Sequence, residues 1–411
     1  MTFRLYNAEQ DRKAALRVWR EVGWLEKGEE KEKAAALFLE CGRTLVAEAN
    51  GAPECVVNTM PATMRYLDED LPFSAVTSVT TSRVARKQGR ASRLTARAVA
   101  LDAADGALVA GLGVFEQGFY NQLGFGSGGY EYWIAFDPAR LRRCAKHRVP
   151  QRITVDDWAR VHAARLARLG GHGAVSIIPA GYTQSEMMVS TNGFGLGYCD
   201  GPNDEITHHI WCRARGVDYG PYTVEWMSYQ TWEQFLELMT LLHSLGDQVR
   251  LIRMREPRSV QLQDLVKQPF QRRQVSERGK FATGMRATAY WQERICDLPG
   301  CLEHTHLRGG EVRFNLVLSD PVERFLDDDA PWHGVGGEYV VTLGSASGAV
   351  LGTDASLPTL RASVGALTRM WLGVRPASGL AVTDELAGPP ELLEALDWTL
   401  LLPEPKPDWD Y

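Results

Sequence analysis

The sequence predicts an α+β protein in which one β-α arrangement is used twice and a strand-rich segment of different pattern follows. Three observations carry that expectation. A hairpin, a strand, a helix and a further strand are spaced along residues 44–114, and the same order returns along residues 194–254. From about Ala287 the periodicity changes to long strands and a Gly-rich hairpin. The 411 residues, 45% apolar and 23% charged, supply core enough for several folded domains, with boundaries read at 1–136, 137–286 and 287–411.

In the first segment, Asn7 with Gln10 three residues on makes a helix start, after which Leu16, Trp19 and Val22 recur at helical spacing as far as Gly23. A second helical stretch covers residues 29–39. Residues 44–48 and 55–59 flank an Asn50-Gly51 turn, the pattern of a β-hairpin. Residues 72–81 are rich in β-branched side chains and run into Arg86-Lys-Gln-Gly-Arg-Ala91, beyond which Leu94, Ala98 and Leu101 mark a helix closed at Gly106. Residues 107–114 are a continuous apolar run suited to a buried strand, 119–123 a short helical turn, and 130–136 the last strand expected in this domain.

The second repeat has strands at 194–199 and 207–213 around Asp200-Gly-Pro-Asn-Asp204, then a strand at 222–228. Thr231 with Gln234 caps a helix carrying Phe235, Leu238, Met239 and Leu242, and residues 248–254 return as a strand. The loop before that helix, Tyr229-Gln-Thr-Trp-Glu233, has no glycine, no cation and a carboxylate in the first helical turn, so it would repel a phosphate. The last segment reads as strands at 288–298 and 311–318, a hairpin around 344–352, and a helix with Leu360, Val364, Leu367 and Trp371. Alternating prolines in Leu402-Pro-Glu-Pro-Lys-Pro-Asp-Trp-Asp-Tyr411 forbid helix and favour an extended tail, and the aromatic Trp409 and Tyr411 fit a tail that docks.

Composition excludes several functions. A net charge of −6 argues against an electrostatic grip on nucleic acid or anionic lipid. Uncharged stretches are too short and too interrupted by Gly, Pro or Ser to span a membrane. MTFRLYNAEQDRK lacks the apolar core of a secretory signal, and the seven Cys are odd in number and without CxxC spacing, so a cytoplasmic protein with reduced thiols is expected. Cys296, Cys301, His304 and His306 have a loose zinc-like spacing, but Asp-Leu-Pro-Gly between the cysteines reads as an ordinary turn, and no metal is expected. No G-x-S-x-G elbow or dinucleotide fingerprint is present.

The loop from Arg86 to Ala91 has what a pyrophosphate needs. Gly89 allows close backbone approach, the following helix presents unpaired N–H groups, and Arg86, Lys87 and Arg90 add cations. Read alone, it could also be a solvated basic helix start. The β-branched strand before it and Tyr120 on the next short helix supply the context. Residues 76–91 resemble motif A of the GCN5-related N-acetyltransferases, and Gly118-Phe-Tyr-Asn-Gln-Leu-Gly-Phe-Gly126 resembles their FYxxxGF motif. In order and length the whole chain resembles the enhanced-intracellular-survival (Eis) acetyltransferases. The resemblance implies tandem acetyltransferase folds, the second without a working cofactor loop, followed by a sterol-carrier-protein-2-like α/β domain.

It also implies roles. Val79 and Thr81 would offer backbone groups to pantetheine, and Arg86, Lys87, Gln88, Gly89, Arg90 and Ala91 would hold the pyrophosphate of acetyl-CoA. Tyr120 would protonate the leaving thiolate, and the C-terminal carboxylate of Tyr411 would be the base. The implied reaction is transfer of acetyl to a primary amine of a small polycationic acceptor, in a homo-oligomer, a hexamer. The family usually carries Pro after the motif A strand and aliphatic residues after the loop glycine; here Arg83 and Arg90-Ala91-Ser92 stand there. The rival from another class is a carrier of acyl-CoA or a hydrophobic ligand that no longer turns over.

Overall fold

The computed structural model describes residues 3–116, 118–142, 145–267 and 279–411. Contacts divide the chain into two compact units, one of Met1–Gly129, Gly171–Pro179 and Ala289–Tyr411, the other of Tyr130–Gly170 and Ala180–Thr288.

The chain begins with β1 (Phe3–Leu5), α1 (Ala8–Glu21), α2 (Glu29–Cys41), β2 (Arg43–Ala49), β3 (Ala52–Tyr66) and β4 (Glu69–Thr81). Asn7 caps α1 as expected, its side chain accepting from the N–H groups of Glu9 and Gln10. Then come α3 (Arg90–Ala104), β5 (Val109–Gly113) and β6 (Gly126–Ser127). The middle of the chain supplies β7 (Glu131–Phe136), β8 (Gln151–Ile153), α4 (Trp158–Leu166), β9 (Val175–Ile177), α5 (Ala180–Val189), β10 (Gly193–Tyr198), β11 (His208–Ala214), β12 (Tyr222–Ser228), α6 (Trp232–Ser244), β13 (Ile252–Arg255) and β14 (Gly284–Thr288). Of these α4, β8, β9 and α5 have no counterpart in the sequence reading. The last segment holds β15 (Trp291–Ile295), α7 (Leu298–Glu303), β16 (Val312–Ser319), β17 (Gly337–Leu343), β18 (Gly348–Leu351), β19 (Thr359–Ser363), α8 (Val364–Trp371), α9 (Ala377–Thr383), β20 (Leu386–Ala387) and α10 (Pro390–Thr399).

In the first unit the strand order is β1-β2-β3-β4-β5-β15-β6, with β9 on β3. In the second it is β14-β7-β13-β12-β11-β10-β8. Each contains a parallel pair joined through a helix, β4 with β5 across α3 and β12 with β13 across α6. The repeat legible in the sequence is therefore a repeat of topology.

Two strand assignments need correction. Residues 130–136 do not close the first sheet; β7 pairs antiparallel with β13 and β14 and buries Ile134 and Phe136 in the second unit's core. The corresponding place beside β5 is taken by β15, expected instead to open the last segment. Sequence adjacency suggested the wrong partners because an alternating strand carries no label for the sheet edge it meets.

The last segment also has its own sheet, ordered β18-β17-β16-β19-β20, with the Gly-rich hairpin at β17–β18 as expected. Leu360 lies in β19 and not in the helix that follows it. Trp371 of α8 stacks on Tyr66 of β3 at 4.3 Å and 5°, and the Tyr66 hydroxyl donates to the Trp371 carbonyl at 3.0 Å. Cys144 lies outside the described residues; the other six cysteines are free thiols. Among the described residues no helix is long and apolar enough to cross a membrane.

The tail docks along a line of glycines in the first unit. A Cβ on Gly373 would stand 2.7 Å from Leu402, one on Gly173 2.7 Å from Lys406 N, and one on Gly111 3.0 Å from the Tyr411 hydroxyl. Lys406 N donates to the His172 carbonyl at 3.0 Å, and Val175 N donates to the Pro407 carbonyl at 2.8 Å. Trp409 is 1% exposed and Tyr411 8%. Gly173 has φ +79°, so Gly173→Ala would add backbone strain to a clash with the tail backbone. We expect it to lower stability by about 2 kcal/mol, read as a shifted urea midpoint at unchanged m.

Candidate active site

The cofactor loop is built by the way β4 ends. Parallel pairing of β4 with β5 stops at Val76 opposite Leu112, although β4 continues to Thr81. Opposite β3 the register shifts between Val56 and Asn58, and Ser78 takes φ +57°. This bulge turns the end of β4 away from β5 and leaves a splay between two parallel strands, with backbone groups free of the β4–β5 ladder.

Beyond the strand, Lys87 and Gly89 both have positive φ, +59° and +71°. They fold the loop back so that α3 starts at Gly89 without a side-chain cap. The first N–H groups of α3 thus face the cleft side of the loop with the positive end of the helix dipole behind them. A Cβ on Gly89 would meet nothing within 4 Å, so the space in front of the helix end is open.

A cleft of about 460 Å³ lies there, a volume in the range of small-molecule sites. Every residue expected to bind the pantetheine arm or the pyrophosphate lines it: Val79, Thr81, Arg86, Lys87, Gln88, Gly89, Arg90 and Ala91. Arg86 and Lys87 are exposed and make no ion pair with a described residue, so their charge is available to an anion. Arg90 is used differently. Its guanidinium donates to the Glu48 carbonyl at 2.6 Å and to Gln88 Oε1 at 3.1 and 3.2 Å, bracing the loop. Trp24, Phe115 and Phe119 also line the cleft. The sequence reading named Phe119 only as part of its motif and missed Trp24 and Phe115, exposed aromatics in loops without periodicity.

Tyr120 and Tyr411 stand outside the lining. Tyr120 is packed among Val76, Leu94 and Leu112 on the α3 face of the sheet, its ring 4.8 Å from that of Phe119. Burial raises its pKa above the ordinary phenol value, so the hydroxyl keeps its proton at neutral pH. Tyr411 lies on the opposite face, against Trp291 at 4.6 Å and Phe73 at 5.7 Å, with its hydroxyl over Gly111. Strand alternation separates the two, since Leu112 and Gly111 point to opposite faces.

The second unit lacks such a loop. Thr231 caps α6 by accepting from Gln234 N at 3.3 Å, and Tyr229, Trp232 and Phe235 pack together with ring centroids 5.2–5.9 Å apart. Glu233 sits in the first turn of α6. The helix end is capped, and a carboxylate stands where an anion would bind.

A splayed parallel pair, a strand bulge and an uncapped helix end behind a cationic loop make a site for an anionic ligand with exposed strand backbone beside it. Comparison agrees: residues 3–128 match the acetyltransferase (GNAT) domain family. This part of the chain is an acetyltransferase domain, a kind that uses acetyl-CoA, and the chain is an acyltransferase. No curated protein sequence matches the chain.

Among solved structures, a probable N-acyltransferase of Enterococcus faecalis is similar at 16% identity and a TM-score of 0.78, covering 98% of this chain and 97% of that one. A GCN5-related N-acetyltransferase of Kribbella flavida is similar at 17% identity and TM-score 0.74, covering 100% and 98%. Eis1 of Mycobacterium abscessus is similar at 16% identity and TM-score 0.73, covering 100% of both chains. At such identities the likeness is one of fold.

The loop geometry yields a direct test. Gly89→Glu would place a carboxylate in front of the helix end, and acetyl-CoA binding measured by calorimetry should be lost. Unchanged affinity would show that the phosphates bind elsewhere.

Proposed function

We propose that the chain is an Eis-like N-acetyltransferase that moves acetyl from acetyl-CoA to a primary amine of a small polycationic molecule. The observation that carries this reading is the cleft in which the β4 bulge, the open helix end and the unpaired Arg86 and Lys87 meet. Val79 and Thr81 would bind the pantetheine arm, and residues Arg86 to Ala91 the pyrophosphate. One cofactor would bind per chain, since α6 offers no comparable end.

In the reaction the neutral amine attacks the thioester carbonyl, the C–S bond breaks, and the thiolate takes a proton. Tyr120, held protonated by burial, would supply that proton from the α3 face. The α-carboxylate of Tyr411 would take the amine's proton from the other face, where the tail is seated. By the same resemblance, the last segment is proposed as a sterol-carrier-like domain and the assembly as a hexamer, measurable by light scattering.

One observation favours a second reading, an acyl-CoA carrier without turnover: Tyr120 is not among the residues lining the cleft. Thiol release from acetyl-CoA over a panel of aminoglycosides, polyamines, lysine peptides and arylamines separates the two, because a carrier releases none. Tyr120→Phe should reduce kcat by about 10²–10⁴-fold with cofactor affinity nearly intact. Retained turnover would leave Tyr120 a packing residue. Adding residues after Tyr411, or removing Trp409 to Tyr411, should abolish transfer while acetyl-CoA still binds and the fold still melts cooperatively. Wild-type turnover in a C-terminally extended protein would place the base elsewhere.

A further inference from the structure

A carboxyl that the proposed reaction does not use lies in the sheet beside the tail's last residue. Glu293 is the middle residue of β15, opposite Gly111 of β5 on one side and Gly126 of β6 on the other. It is 6% exposed. Its side chain reaches toward Gly128, where a Cβ would stand 2.9 Å from one carboxyl oxygen and 3.4 Å from the other. Gly128, without a side chain, thus makes room for an acid inside the sheet. The Glu293 side chain forms no hydrogen bond or ion pair with a described residue, and burial pushes its pKa up to about 8.

The same face carries the end of the chain. Trp291, two residues before Glu293, packs against the Tyr411 ring at 4.6 Å, and the Tyr411 hydroxyl lies over Gly111, the register partner of Glu293. Tyr411 therefore rests on the strand pair that holds the buried acid.

We propose that Glu293 is a positioning residue for Tyr411: as an uncharged carboxyl it completes an apolar seat for the tail, and on ionising it draws water beneath the ring and unseats the chain end. Its effect on catalysis rests on the reading that Tyr411 acts in acetyl transfer; its effect on the tail does not. Few other charges face it. β5, β6 and Gly128 bring no titratable side chain, and Phe73 brings none from β4. From α8 comes Arg369, whose Cγ approaches Gly126 and whose guanidinium pairs with Asp384 at 2.6 Å. The tail brings Glu404 near Gly129, and Tyr411 with its hydroxyl and α-carboxylate. Burial alone accounts for the direction in which Glu293 is shifted.

Folding raises this pKa above that of an unfolded glutamate, near 4.3. Between that value and about 8 the folded protein holds a proton that the unfolded chain has lost. The seat is thus fully stable below the window and weakens as pH rises through it.

The test is carboxypeptidase release of Tyr411 from the full-length protein at about pH 4 and about pH 7.5, for wild type, Glu293→Gln and Glu293→Met. The ratio of wild type to variant at each pH cancels the protease's own pH dependence. Release should be nearly equal at the lower pH, below the window, and at least tenfold faster in wild type at the higher, because each pH unit inside the window weakens the seat by up to about tenfold. The same ratio at both pH values overturns the proposal. Should neither variant fold, NMR titration of Glu293 in the wild type decides: a midpoint near 8 supports the proposal, and one at the ordinary carboxylate value overturns it. If no amine is acetylated at any pH, the functional reading fails while the release ratio still decides the role of Glu293.

Discussion

The insertion of β15 between β5 and β6 is the constraint on which the first unit depends. Five residues, Trp-Gln-Glu-Arg-Ile, are buried along their whole length, and their two faces do different work. On one face Trp291 seats the chain end. On the other, Gln292 reaches Asn121 and Ser127, and Arg294 donates to the Leu123 carbonyl and pairs with Asp320 at 2.5 Å, both charges buried. Asp320 also accepts from Val335 N at 3.0 Å. Removing one partner of such a pair leaves a buried charge uncompensated, a loss on the order of 3–5 kcal/mol. The turn that carries Tyr120 is thus held by a strand from the far end of the sequence.

That arrangement gives the splay its chemistry. A parallel pair that parts after a few residues exposes backbone groups a ladder would consume, and the bulge at Ser78 stores the strain that keeps it open. One sheet then offers a ligand two unlike faces. The α3 face is packed with aliphatic side chains around Tyr120, and the opposite face carries Phe73, Trp291 and the docked tail.

The repeated topology makes the second unit an internal control for the first. Both have a parallel pair bridged by a helix, yet α3 starts at an uncapped glycine behind free cations and α6 starts at a capping threonine followed by tryptophan and glutamate. The same backbone plan becomes an anion site or an ordinary helix start according to a handful of residues.

Local signals were legible in the sequence. The Asn50-Gly51 hairpin, the Asn7 and Thr231 caps, the β-branched run into Arg86-Lys-Gln-Gly-Arg-Ala91, and the apolar strand after α3 each depend on neighbours a few residues away. So does the docking of the tail, announced by Trp409 and Tyr411, because two large aromatics in an extended end must find cover. Only the tertiary structure decided which sheet β7 and β15 would join, since register and edge choice are settled by partners more than a hundred residues distant. Nor could the sequence announce a positive φ at Ser78, which packing imposes against its own steric cost. Glu293 is the sharpest case: it is buried in β15 beside Gly128, far away in the chain, whose missing side chain leaves the carboxyl its space.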